Sequence, residues 1–508
     1  MTRFFLSRRL PANAAGQPLR TKHNILVRFF VACACWLPLV QTAAAANQKP
    51  NLVFLLADDL GWADLGCYGS AFHETPNLDR MARDGVRFST FYSAGSVCSP
   101  TRSSIMTGKY PVRTGITDWI PGQEAPNRKL VQLRPRTQLP HNEVTLAESM
   151  KTGGYQTAYI GKWHLGRNGS LPTDHGFELY LGEDRENAGA TDNIARLRQR
   201  LESTDRYTDF ATDFLEKRDP SRPFFLMLSY HDVHTPIQPM PGLVEHFQKR
   251  AGTLSGPTPE RPEHDGRTRL RQDNPSYASM LAAVDISAGR ILSKLKDLRL
   301  ASNTIVFFAS DNGGLSTLKN AGPTSNTPLR AGKGWLYEGG IRVPLIVWGP
   351  AVTQTGSVCE TPLISCDLYP TFLELAHLSP LPRQHIDGVS FAELLRGGPA
   401  PPARSLFWHY PHYHGSTWTP GAAIRDGNWK LIEFYESGAV ELYNLSEDLA
   451  EAYNHAASNQ AKKQELLQKL HNWQKSVQAQ IPPLNPNPES SAPPDVKEKK
   501  KKRAGNRQ

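Results

Sequence analysis

Two acidic pairs stand at the ends of apolar runs that lie far apart in the chain. Asp58-Asp59 closes NLVFLLADD (51–59), and Asp311-Asn312 sits in TIVFFASDNGG (304–314). Adjacent carboxylates repel one another and are costly near a core unless a cation neutralises them. At the carboxyl ends of buried strands, where open α/β sheets put their ligand sites, these residues offer four hard oxygen ligands. That set suits calcium or magnesium rather than zinc. Either pair alone reads as an ordinary Asp turn; together they point to a metal. A third group is the thiol of Cys98, in SVCSPTRSSIMTGKYPVRTG (96–115). SSIMTG looks like a helix start, which would set Cys98 near the positive end of a helix with Arg102 one turn on, an environment that suits an anion. The plainer alternative is an unmodified buried cysteine.

The elements that must position these groups follow from the same pattern. Besides 51–59 and 304–314, the runs YQTAYIG (155–161), FFLMLSYH (224–231) and VPLIVWG (343–349) are short, apolar and stopped by polar residues or glycine, as buried strands are. Helices with start signals lie between them. Thr75-Pro76 opens NLDRMARDG, Thr145 and Glu148 form a capping-box pattern, and Leu281, Val284, Ile291, Leu295 and Leu298 make a helical stripe in 277–298. The alternation predicts an α/β domain around a mostly parallel sheet. Residues 250–275 are polar and rich in Gly and Pro, the pattern of a long loop. After about residue 400, AAIRDGNWKLIEFYE and AVELYNL predict a smaller antiparallel sheet, followed by a helix over 459–478. The expected organisation is an export signal over 1–46, a catalytic domain over 47–400, a C-terminal antiparallel subdomain over 401–480 and a disordered Pro- and Lys-rich tail over 481–508.

The net charge of +10 carries no message about nucleic acid. Residues 1–46 hold six basic groups and no acids, and 481–508 contribute a net +4, so the body is neutral. Lys22 and Arg28 precede the apolar run Phe29–Val40 and the small residues Ala43–Ala46, which together make an export signal too short in its apolar part to span a membrane comfortably. The expectation is a periplasmic or secreted protein with no stable membrane partner. Beyond the signal, four cysteines remain (67, 98, 359 and 366), too few for a disulfide scaffold. Cys359 and Cys366 are close enough in sequence to pair.

Cys98-Ser99-Pro100-Thr101-Arg102, followed by Thr107-Gly108, resembles the signature of type I sulfatases in the alkaline phosphatase superfamily. The resemblance extends through the early Asp58-Asp59, Gly161-Lys162-Trp163-His164-Leu165-Gly166, His234-Thr235-Pro236, Asp311-Asn312-Gly313-Gly314, and Gly332-Lys333 leading into Glu338-Gly339-Gly340-Ile341-Arg342-Val343-Pro344. It implies an alkaline phosphatase-like fold and hydrolysis of sulfate esters. In that family the cysteine is oxidised to formylglycine by a formylglycine-generating enzyme. The hydrated aldehyde attacks sulfur, and the sulfated intermediate collapses by elimination. Carried over, the resemblance implies one calcium ion on Asp58, Asp59, Asp311, Asn312 and the modified Cys98. It makes Arg102 the residue that holds the formylglycine, and Lys162 and Lys333 the ligands of the sulfate oxygens. His164 would assist the elimination and His234 would protonate the leaving oxygen. The segment FWHYPHYHGSTW (407–418) is expected on a loop, where His409, His412 and His414 with Trp408 and Trp418 would line a rim for a sulfated carbohydrate. Aromatic packing between the subdomains is the alternative. Two rival functions share parts of this pattern: a phosphonate or phosphodiester hydrolase, and a non-catalytic polysaccharide-binding homologue.

Overall fold

The computed structural model describes residues 49–123, 125, 128–182, 203–486 and 488. The export signal and the tail from 489 onward lie outside the described residues; residues 481–486 depart from the disorder expectation, because Leu484 bridges to Leu130 and the backbone there bonds Lys129 and Val131. Pro50 onward forms one compact unit.

Its centre is a nine-stranded sheet. Five of its strands come early: β1 (Asn51–Ala57), β2 (Val86–Tyr92), β3 (Gln156–Gly161), β4 (Leu179–Leu181) and β5 (Phe224–Ser229). A small three-stranded sheet is formed by β6 (Glu260–Glu263), β7 (Gly266–Arg269) and, after β8 (Thr304–Ser310), by β9 (Thr317–Leu318). β10 (Arg342–Trp348), β11 (Ser357–Cys359) and β12 (Leu363–Ile364) complete the large sheet. Its order is β11-β2-β10-β8-β1-β5-β3-β4, with β12 also on β2. All pairs are parallel except those of β10, which runs antiparallel to both β2 and β8. The mostly parallel α/β expectation therefore holds, with one reversed strand inside it.

Period-two alternation along β1 feeds two cores. Leu52, Phe54 and Leu56 pack on one face, and Val53, Leu55 and Ala57 on the other. The helix Pro275–Asp297 covers the second face, capped by the Asn274 side chain. At the helix Leu146–Thr152 the Thr145–Glu148 capping box is present in both directions. Residues 250–275 depart from the loop expectation: β6 and β7 make a hairpin there, and β7 pairs with β9. Cys67, Cys98, Cys359 and Cys366 are all free thiols. Among the described residues no helix is long and apolar enough to cross a membrane.

The second, antiparallel sheet runs β13 (Leu406–Tyr410), β14 (Gly421–Asp426), β15 (Trp429–Phe434) and β16 (Val440–Asn444) in order. One face packs on the helix Gln460–Ser476 through Leu466 and Leu470. The other meets Tyr92, Trp335 and Tyr337 of the larger body. Lys430 on β15 is fully buried there, with its ammonium 2.9 Å from Glu338 and 2.8 Å from Glu451. Glu338 also accepts from the Tyr92 hydroxyl at 2.7 Å and lies 3.2 Å from Arg342. Breaking one side of a buried ion group leaves uncompensated charge. Lys430→Met should therefore destabilise the protein by about 3–5 kcal/mol. Urea unfolding would read this, and a change below about 1 kcal/mol would show that the cluster relaxes freely.

Candidate active site

Parallel strands present their carboxyl ends at one edge of the sheet, and the candidate residues collect there. Ala57 of β1 pairs with Ser310 of β8, so Asp58-Asp59 and Asp311-Asn312 leave neighbouring strands side by side. Lys162 follows β3, and His231 and His234 follow β5. Asp59 has φ of 61°, a left-handed conformation that aspartate tolerates better than most residues and that turns the chain sharply after Asp58. Gly313 must be glycine, because a Cβ there would meet the Gly339 carbonyl oxygen at 1.8 Å. This contact draws the 331–341 segment, with Lys333, over the acidic pair.

The carboxylates are tightly engaged. Asn312 Nδ2 donates to Asp59 Oδ1 at 2.8 Å, and the Asp59 amide donates to Asp311 Oδ1 at 3.2 Å. Lys333 Nζ is 2.7 Å from Asp59 Oδ2, and Lys162 pairs with Asp58. Arg102 donates through Nε to Asp311 Oδ2 at 2.8 Å, and through Nη1 to the Lys162 carbonyl at 2.7 Å and Ser229 Oγ at 2.6 Å. Burial raises Asp58, but Lys162, His234 and Arg102 outweigh it and hold the carboxyl well below the usual range. Burial and the Asp58 charge push Asp311 up to about 7. Asp58 Oδ1 and Asn312 Oδ1 are buried oxygens with no hydrogen-bond donor, and Arg102 Nη2 stands 3.9 Å from Asp58 Oδ1. Ligand atoms of Asp58, Cys98 and Asp311 lie within 4.8 Å of one another. Crowded carboxylates with unsatisfied oxygens fit a hard divalent cation such as calcium.

Cys98 is the first residue of the helix Cys98–Thr107 and is 1% exposed. Its surroundings differ from the anion-favouring expectation. Burial pushes the thiol up to about 11, with Asp58 and Asp311 opposing the help of Lys162 and Lys333. The Arg102 guanidinium turns its hydrogen bonds to Asp311, Lys162 and Ser229 instead of the sulfur. At neutral pH Cys98 is thus a protonated thiol, a weak nucleophile as it stands. Its sulfur is 3.2 Å from His164 Nδ1, while His164 Nε2 faces the Ile120 carbonyl oxygen at 2.6 Å. The carbonyl assigns the ring proton to Nε2 and leaves the Nδ1 lone pair at residue 98. Burial and then Lys162 keep His164 well below its ordinary pKa, hence neutral. His234 is arranged the other way round. Nδ1 faces the Thr235 carbonyl oxygen at 2.6 Å, and Nε2 lies 3.6 Å from Asp59 Oδ2. Burial and Lys333 hold it well below the ordinary imidazole range.

The three rim histidines do not gather. His409 lies within β13 rather than on a loop, and its ring bonds Tyr435 at 2.8 Å and the Gln480 carbonyl at 3.1 Å. His412 is 1% exposed and bonded to Thr117 Oγ1 at 2.9 Å. Both rings are thus taken up by protein partners. His414 alone stays beside the site, next to Gly334, where a Cβ would come 2.1 Å from its Nδ1. Trp408 and Trp418 are each 1% exposed in the core between the two sheets, as the packing alternative has it.

One residue that the sequence did not single out supports the pocket. Asp118 is buried and accepts from the Tyr410 hydroxyl at 2.8 Å and the Trp119 amide at 2.9 Å, fixing the loop whose Ile120 carbonyl orients His164. Burial pushes its carboxyl up to about 6 from 3.8. Across that window the native chain binds more protons than the unfolded one, so stability falls as pH rises from about 4 to 6. Asp118→Asn should flatten that slope and stabilise the protein at pH 7, as thermal unfolding across the range would show.

Comparison with known proteins follows the same lines. The family model described as Sulfatase matches residues 50–378, and that described as N-sulphoglucosamine sulphohydrolase, C-terminal, matches 331–480. The N-acetylgalactosamine-6-sulfatase of Canis lupus familiaris is 35% identical over 382 residues, covering 70% of this chain and 68% of its own. A sulfatase of Formosa agariphila is 31% identical over 523 residues, covering 86% and 90%. Among solved structures, Ps i-CgsB in complex with k-i-k-neocarrahexaose aligns with a TM-score of 0.68 at 27% identity, covering 84% of this chain and 93% of that one. The phosphonate monoester hydrolase of Agrobacterium radiobacter shares the fold, with a TM-score of 0.62 at 21% identity over 84% and 96% of the two chains.

Proposed function

This chain belongs to the sulfatase family and is a sulfuric ester hydrolase, and from that premise we propose that it removes sulfate from a carbohydrate, using a formylglycine made from Cys98 and one calcium ion. The observation that carries this reading is the convergence of Cys98, Lys162, His164, His234 and Lys333 on the acidic strand ends. The carbohydrate is supported by the relatives, one named for N-acetylgalactosamine-6-sulfate and another bound to a neocarrahexaose. Export through the N-terminal signal belongs to the same reading.

Asp58, Asp59, Asp311 and Asn312 would hold the calcium, with residue 98 at its side. The ion would stabilise negative charge on the sulfate oxygens. The hydrated aldehyde at residue 98 supplies a hydroxyl nucleophile that a protonated thiol cannot. The chain's own groups do the rest. Lys162 and Lys333 place two ammonium groups where a sulfate would enter. Arg102 neutralises Asp311 and fixes the Lys162 backbone, so the lysine is held from both ends. His164 Nδ1 is placed to take a proton from the residue 98 hydroxyls. His234 Nε2, 3.6 Å from Asp59 Oδ2, would give the leaving oxygen its proton, and an entering anion favours its charged form.

Three measurements test the reading. After co-expression with a formylglycine-generating enzyme, the Cys98 peptide should lose mass as thiol becomes aldehyde. Turnover should exceed that on a phosphodiester analogue for both aryl and sugar sulfates. A fully unmodified thiol in an active preparation would overturn the mechanism. Asp311→Asn removes a full ligand charge and should weaken calcium binding by about tenfold or more, because charge count sets affinity at oxygen sites. Calorimetric titration giving an unchanged affinity would remove Asp311 from the calcium set.

A further inference from the structure

Beside the oxygen ligands stands a donor set of different chemistry. His231 and His234 leave the end of β5, and their ligand nitrogens and an Asp58 oxygen lie within 4.8 Å of one another. Two imidazoles and a carboxylate suit a borderline-soft ion such as zinc, which takes nitrogen and oxygen at about 2.0–2.2 Å and keeps a fourth position open. Calcium prefers oxygen, so the two sets divide by ligand type. One of the two rings is also pre-aimed. The Thr235 carbonyl, 2.6 Å from His234 Nδ1, turns the Nε2 lone pair toward the acidic side, the outer hydrogen bond typical of metal-ligating histidines. The two rings stand edge to face, with centroids 5.8 Å apart and planes at 85°, so neither blocks the other's approach to a shared ion. Met240 and Met280 line the adjoining pocket together with both histidines.

We propose that Asp58, His231 and His234 form a zinc-class binding site whose occupation halts the enzyme. Binding follows from the donors alone. Inhibition rests on the functional reading above, since the ion would take the imidazole of the leaving-group side and share a calcium-site carboxylate. Zinc would thus act as a reversible brake on turnover.

Cobalt(II) is the direct probe, because a tetrahedral site gives it intense visible bands. Added to the calcium-saturated full chain, it should give those bands at one equivalent in wild type and equally in Cys98→Ala. Bands that vanish with Cys98→Ala would place the ion on the thiol with Asp58 and Asp311, and overturn the proposal. His231→Gln should weaken binding by more than about 100-fold, since even outer-sphere partners are worth 10–100-fold. Undiminished binding in a folded His231→Gln would also overturn it. Should that variant not fold, the wild type still decides: zinc in calcium buffer should raise its Tm by mass action, and no rise would sink the site. Zinc should in parallel inhibit sulfate-ester turnover, with recovery on adding a nitrogen-donor chelator that leaves calcium bound. If turnover of sulfate esters were absent while cobalt still bound as expected, the functional reading would fall and the metal site would stand.

Discussion

Replacing Cys98 with alanine should lower sulfate-ester turnover by a factor on the order of 10⁴–10⁶, the usual cost of losing a covalent nucleophile. The fold should survive. Cys98 is small, sits at a helix start and makes its side-chain contact with His164, so the substitution removes one sulfur from a site already braced by Arg102, Asp311 and Ser229. Far-UV circular dichroism and thermal unfolding should therefore stay close to wild type while steady-state turnover disappears. A variant keeping more than about a tenth of wild-type activity would show that residue 98 is not the attacking group.

His234→Ala should separate substrates by leaving group. A sugar hydroxyl leaves poorly and needs a proton, whereas an activated phenolate needs it far less. Sugar-sulfate turnover should fall about 10²–10⁴-fold, with a much smaller change on an aryl sulfate. The pH dependence has a definite sign. His234 is held well below 6.5 by burial and Lys333, and an acid must be protonated to act. In the wild type, kcat/KM for sugar sulfates should therefore rise as pH falls below neutrality and level off only below the His234 pKa. That limb should be absent from His234→Ala. Equal losses on both substrate types would take His234 out of the leaving-group role.

Much of the scaffold is legible because a strand buried on both faces leaves a continuous apolar run. The ends of β1, β3, β5 and β8 are set by the first polar residue, so Asp58, Lys162, His231 and Asp311 could be placed at strand ends without coordinates. The same continuity hides direction: nothing in VPLIVWG distinguishes antiparallel β10 from its parallel neighbours. β6 and β7 were hidden for the opposite reason. ERPE and GRTR lack apolar alternation, and Pro262 lies on an edge strand, where its missing N–H does no harm. At the site, the helix start and Arg102 were visible near Cys98. What the motif does not reveal is how deeply the thiol is buried: burial outweighs Lys162 and Lys333 and raises it, with Asp58 and Asp311 adding to the rise from elsewhere in the chain. Asp118 carries no motif, since its role depends on Tyr410 meeting it from the other sheet.

The buried Lys430 ammonium has a bearing on how such proteins can be recombined. The two family models overlap over 331–378, so the boundary between them runs through the segment that carries both Lys333 and Glu338. Glu338 is matched by Lys430 from the small sheet and by Arg342 from the large one. A chimera that exchanged only residues after 400 with a relative would inherit half of that charge arrangement. The half it keeps, Glu338, lies a few residues from Lys333, which pairs with Asp59. The two sheets are thus a single unit of inheritance, and grafting a new C-terminal sheet to change carbohydrate preference requires the 331–342 segment to travel with it.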